Sequence, residues 1–278
     1  MKNFIKLLNF EINRFSKLYF LMLAVIFIIQ FGSVIFHVGT YMALVKAETQ
    51  GGRMSPEQFL YEYYPFGLND IIYTRGFLVP IAIGVVGLLF YMFFIWYRDW
   101  FARNTFVYRL LMLPTSRMNI FYAKLTTIML TVLTTVALQL IFLSIYQKVI
   151  EWTIPVVYRV DVSVGLTVAT SQYLTTIIPD NLNLFFIGYG LGLAVVVVIF
   201  TAILFERSFQ FIGILYGVLY VGLALITFIT PFIIQLILFD TLYLYTDEML
   251  YLLTAIVIGI VIVSLFVSRY LLNNKVTV

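Results

Sequence analysis

The sequence predicts an all-α membrane protein: six transmembrane helices, an amphipathic interfacial helix ahead of them, and both termini cytoplasmic. Three observations lead there. Of the 278 residues, 63% are hydrophobic and only 11% charged, against about 25% charged in a soluble domain, and the mean hydropathy is +1.03. Apolar runs of roughly 20 residues, the length a helix needs to cross a bilayer, recur at about 18–45, 77–97, 125–147, 184–205, 209–237 and 250–270. The basic residues between these runs gather on alternate sides.

Residues 1–17 read as the amphipathic elbow helix. At 100° per residue, Met1, Phe4, Ile5, Leu8, Ile12 and Phe15 share one side, and Lys2, Lys6, Asn9, Asn13 and Lys17 the other. A helix with lysines on its polar face lies along a membrane surface. A signal peptide would instead carry an uninterrupted apolar core and a small-residue cleavage site. The rest, 18–278, reads as one six-helix transmembrane domain. In its fifth span, "FITPFIIQ" places Pro231 where a helix loses a hydrogen bond, which predicts a broken helix over 231–250.

Orientation follows from the basic residues. With the amino terminus inside, the cytoplasmic segments hold Lys2, Lys6, Arg14, Lys17, Arg98, Arg103, Arg109, Arg117, Lys124, Arg207, Arg269 and Lys275, 12 of the 17 basic residues. Only Lys46, Arg53, Arg75, Lys148 and Arg159 fall outside. The two longer extracellular loops are 46–76, with the tyrosine-rich turn "EYYPFG", and 148–183. In the second, Tyr158, Val160, Val162, Val164, Leu166 and Val168 alternate with Arg159, Asp161, Ser163, Gly165 and Thr167. This period of two predicts a strand, bending near Gly165.

No Asp, Glu, Lys or Arg lies in the middle of a predicted span; the polar residues within the spans are Gln30, His37 (toward the outer end of the first), Gln139 and Gln235 with some Ser and Thr. Ion-coupled carriers mark their coupling site with such a charge, so the driving force is expected to enter from outside the spans. The chain has one histidine and no cysteine, which leaves little for a zinc hydrolase or a histidine-assisted protease. No metal site, bound cofactor or catalytic residue is expected, and no nucleic-acid partner. Gly188 and Gly192, and again Gly213 and Gly217, are four residues apart, a spacing that lets helices approach closely.

The cytoplasmic loop 98–124, "RDWFARNTFVYRLLMLPTSRMNIFYAK", is apolar at Phe106, Val107, Leu110, Leu111 and Leu113 and basic at Arg103, Arg109 and Arg117. Pro114 should end a short helix, and Thr115 or Ser116 can cap the next one. A leucine-rich run ending in Leu-Pro-Thr-Ser-Arg, with Lys124 opening a span seven residues later, resembles the permease subunits of ABC-type-2 exporters. The layout is similar too: an elbow helix, six spans, a second cytoplasmic turn at 206–210 with Glu206 and Arg207, and a broken piece before the last span. The resemblance implies that 98–124 and 206–210 couple to a separate cytoplasmic ATP-binding cassette ATPase, through Arg103, Phe106, Arg109, Leu110, Leu111, Leu113, Pro114, Arg117, Glu206 and Arg207. It also implies a second permease copy or paralogue.

No Gly-x-x-x-x-Gly-Lys-Ser/Thr loop occurs in the chain, so ATP and magnesium would sit on the partner. The uncharged interior suits a hydrophobic or amphipathic cargo, with a peptide or antibiotic favoured over a lipid or glycolipid, and a bacterial plasma membrane is the expected setting. A non-transporting accessory subunit is the alternative, followed by an intramembrane enzyme or secondary carrier. The export reading predicts that Arg109→Glu or Leu111→Glu breaks copurification with an ATPase while the spans stay folded.

Overall fold

The computed structural model describes residues 2–50, 53–101, 106–112, 114–238 and 245–276, without the side chains of 2, 106–108, 236–238, 246 and 247. The elements in order are α1 (Lys2–Thr49), α2 (Pro56–Tyr63), α3 (Leu68–Ile72), α4 (Arg75–Phe101), α5 (Phe106–Leu111), α6 (Met118–Thr153), a 3-10 turn (Val156–Tyr158), α7 (Val164–Thr170), α8 (Gln172–Ile177), α9 (Leu182–Leu238) and α10 (Thr246–Asn274). Five of these helices, α1, α4, α6, α9 and α10, are long and apolar enough to cross a membrane. The chain is an all-α, multi-pass membrane protein. A helix satisfies its own backbone hydrogen bonds, which is why apolar runs of this length take that form in lipid.

Two compact units divide the chain: Met1–Ile12 with Tyr91–Met129 and Asn181–Val278, and Asn13–Phe90 with Leu130–Asp180. In the second, the segments that join the long helices are folded rather than loose. Ser55 starts α2 with a reciprocal cap to Gln58 and a proline at the first helical position, while Ser163 and Ser171 cap α7 and α8. Their apolar residues Phe66, Ile71, Ile72, Val168 and Leu174 share a core with Val34 and Val38 of α1, Phe77 of α4, and Leu143 and Ile150 of α6. Tyr41 ties this core together by donating from one hydroxyl to the carbonyls of Tyr64 and Tyr158, both at 3.0 Å.

Deeper in the same unit, Gln30 is fully buried and bonded three ways. It donates to the Phe77 carbonyl at 3.2 Å, in the turn that Pro80 of α4 loosens. Its own oxygen accepts from Tyr146 at 3.0 Å and from Gln139 at 3.3 Å. His37 spends Nδ1 on its own helix, 2.7 Å from the Ser33 carbonyl oxygen.

The first unit is built on α9, whose 57 residues would make a rod of about 85 Å at 1.5 Å per residue, far beyond a hydrocarbon core of about 30 Å. The chain reverses at Gln210 instead, with φ 55° and ψ −129°, a left-handed conformation uncommon outside glycine. Two antiparallel arms result. Gly213 faces Phe205 and Gly217 faces Ala202, where a Cβ would stand 2.9 Å from the Ala202 carbonyl oxygen. At Gly213 an added Cβ would collide with the Phe205 carbonyl oxygen. Around Gly188 and Gly192 nothing lies within 4 Å of such a Cβ. Hydroxyls join the arms to α10: Thr201 meets Ser268 at 2.9 Å, and Tyr220 meets Ser264 at 2.6 Å.

Three expectations need correction. No strand forms at 158–168: Arg159 makes one isolated parallel bridge to Phe66, and 164–170 is helical. The Arg159 guanidinium donates to the carbonyls of Glu151 (2.5 Å) and Ile154 (2.9 Å), so the alternating segment closes the end of α6 and finds no partner strand. Residues 2–17 run into the first span without a break. Their buried stripe is Leu7, Glu11 and Phe15, while Ile5 of the expected apolar face is exposed. Pro231 does not break α9, which continues to Leu238; residues 239–244 lie outside the described part.

Gly213→Val should therefore destabilise the protein by about 1–3 kcal/mol, the usual cost of overpacking. Gly188→Ala, which meets open space, should be near neutral; thermal melting in detergent compares the two.

Candidate functional site

Charge in the first unit collects where α1, α4 and α6 carry their only buried ionic groups among the described residues. Lys124 is 1% exposed, and Glu11 and Asp99 hardly more. The lysine ammonium has three protons and places all three: Glu11 Oε1 at 2.7 Å, Asp99 Oδ2 at 2.5 Å and the Ile95 carbonyl oxygen at 2.9 Å. The second oxygen of Glu11 accepts from Arg98 Nη2 at 2.8 Å. Two carboxylates thus meet two cations, and the cluster is neutral. Trp96 lies against it, with Lys124 Nζ 5.3 Å from its ring centroid. Phe200 packs edge-on to both Trp96 and Phe121, and Phe121 lies tilted against Trp96, with ring centroids 5.5–6.3 Å apart.

A second clasp holds the turn of α9. The Arg207 guanidinium lies over three rings of α4, 4.8 Å from Tyr97, 5.4 Å from Trp100 and 4.9 Å from Phe101. Its neighbour Glu206 accepts from the Tyr97 hydroxyl and sits 3.2 Å from Arg207 itself. Arginine suits this place because its flat, weakly hydrated cation stacks on aromatic faces.

The segment after α4 is fastened at two points. Leu110 and Leu111 are buried in a pocket shared with Trp96, Trp100, Ile120, Leu272 and Val276. Arg117 donates from Nη1 to the carbonyls of Leu272 (2.6 Å) and Val276 (2.9 Å), at the end of α10 where helical carbonyls lack donors. Asn119 joins Thr115 to the start of α6 at 2.6 Å. Facing outward are Arg109 and Pro114 and Met112, which is 71% exposed. Between this segment and the start of α1 lies a cavity of about 440 Å³.

The residues predicted for partner contact therefore separate into two sets. Arg109 and Pro114 are exposed. Leu110, Leu111, Arg117, Glu206 and Arg207 are engaged by the chain itself. Arg103 and Leu113 lie outside the described residues, and of Phe106 only the backbone is described. Sequence reasoning missed Glu11, Asp99 and Trp96. One signal was available for Glu11: it stands four residues from both Leu7 and Phe15, a charge on an apolar helical stripe.

No acid–base or nucleophilic constellation stands out here; every buried charge in the cluster is neutralised by a partner. Among the described residues no group of three or more His, Cys, Asp or Glu could hold a metal ion. The arrangement locks a short helix and a turn to the ends of the long helices. No protein-family model matches the chain, and no curated protein or solved structure matches it either.

Removing the ammonium should expose how much rests on it. Lys124→Met leaves two buried carboxylates facing one arginine, and breaking a buried pair costs about 3–5 kcal/mol. The melting temperature in detergent should fall well below that of Lys148→Met, whose partner pair is largely exposed.

Proposed function

We propose that the chain is the membrane-spanning permease subunit of an ATP-driven exporter for a hydrophobic or amphipathic cargo. In this reading α9 crosses twice, giving six crossings with both termini cytoplasmic, and the clasped end of the first unit faces the cytoplasm. The observation that carries it is the anchoring of residues 106–117. Leu110 and Leu111 share a pocket with α4, α6 and the end of α10, Arg117 is bonded to the end of α10, and an outward edge at Met112 and Pro114 stays open. A force applied to that edge by a partner is delivered to three long helices rather than absorbed by a loose loop.

The driving chemistry belongs to the partner. With no phosphate-binding loop in the sequence and the buried charges neutralised, a separate ATP-binding cassette ATPase supplies the work, and a second permease completes the assembly. The long helices turn mostly apolar side chains outward and inward alike, which favours cargo taken from the membrane or its inner face, such as a hydrophobic peptide or antibiotic.

Affinity purification of the tagged chain from its native membrane should recover an ATPase, and the purified complex should hydrolyse ATP faster when cargo is present. Met112→Glu, on an exposed side chain, should reduce ATPase recovery roughly tenfold or more by burying a charge in the contact while the melting temperature holds. Leu111→Glu should lower the melting temperature as well, because its carboxylate enters a buried pocket. A chain that recovers no ATPase, or a Met112→Glu variant that recovers it in full, would speak against the proposal.

A further inference from the structure

We infer that the cavity between the start of α1 and the α5 segment binds an anionic phospholipid, with the phosphate at Lys6 and Arg109 and an acyl chain along Leu7, Phe10 and Leu110. The site does not depend on the exporter reading, since every group in it belongs to this chain.

Its chemistry has two halves. Lys6 and Arg109 both line the cavity of about 440 Å³ and no carboxylate does. Both are exposed, and no ion pair holds either one among the described residues. The acids nearest in sequence are already committed: Glu11 to Arg98 and Lys124, and Asp99 to Lys124. Two cations thus face one cavity with no acidic partner among the described residues. The other half is apolar, formed by Leu7, Phe10, Leu110 and Pro114. A free phosphate satisfies the cations and leaves this floor wet. A phospholipid supplies the phosphate and the hydrocarbon together, and a membrane-spanning chain is always surrounded by it. Basic residues beside an apolar surface at the cytoplasmic face attract anionic headgroups in this way. Such a lipid would sit across the joint between the first helix and the α5 segment, stiffening it.

The test uses the purified chain without any partner, in a neutral detergent, titrated with phosphatidylglycerol, with phosphatidylcholine of the same chain length, and with inorganic phosphate, read by native mass spectrometry. The anionic lipid should be retained roughly thirtyfold more tightly than the zwitterionic one, about what two basic groups near a headgroup supply. The pair Lys6→Gln and Arg109→Gln should abolish that preference, whereas Lys17→Gln, exposed on the same helix, should keep it. Lys6→Gln alone should show a partial loss if the double variant folds poorly. Equal retention of both lipids, or a preference surviving the double variant, overturns the assignment. Inorganic phosphate binding as tightly as phosphatidylglycerol also overturns it, since the site would then recognise a bare anion.

Discussion

The contacts of the Lys124 ammonium tie the first helix, α4 and α6 to one another. Burying a cation is costly unless each of its protons finds an acceptor, and here two carboxylates and one backbone carbonyl take all three. The consequence is geometric. Glu11 fixes the rotation of the first helix, Asp99 and Ile95 fix the end of α4, and Lys124 itself sits one and a half turns into α6. Once these three helices are set, Trp96 has its place against Phe121 and Phe200, and the floor that receives Leu110 and Leu111 exists.

Several other buried polar groups in the long helices are satisfied by partners, although Trp96 Nε1, Trp100 Nε1 and Ser208 Oγ have no hydrogen-bond partner among the described residues. Lipid offers no hydrogen bonds, so a buried polar side chain is best answered within the protein. Gln30 is answered by Tyr146, Gln139 and the Phe77 carbonyl of α4; Thr201 and Tyr220 are answered by Ser268 and Ser264 of α10. The first set links α1 to α4 and α6, and the second links both arms of α9 to α10. Within the α9 hairpin small-residue packing serves, where Gly213 and Gly217 let two backbones meet.

Function, on the reading proposed, grows out of rigidity. An exporter that hydrolyses no ATP itself needs a handle that a partner can push and a stiff connection from that handle to the membrane helices. Buried leucines, an arginine on the end of α10 and a stacked Arg207 on the α9 turn provide the connection. The exposed Met112 edge offers the handle, and a lipid in the Lys6–Arg109 cavity would brace its joint.

Composition and the length of the apolar runs were enough to establish a helical membrane protein, because backbone hydrogen bonding in lipid leaves a long apolar segment few other forms. The positions of most long helices could be read for the same reason, and the turn near 206–210 was visible as a polar interruption. The facing of each helix was not. The first seventeen residues offer a broad apolar side by periodicity, yet the structure turns Glu11 inward, since a carboxylate with two cationic partners outweighs a few methyl groups. Alternation at 158–168 looked like a strand, and only the tertiary structure showed that no neighbouring strand was there to pair with it. Leu110 and Leu111 could have been read as a partner's ligands or as core, because exposure is a property of what lies opposite. Hydrophobic length is written along the chain; which residues meet across it is decided by satisfying buried charges and filling space, and both require all the helices at once.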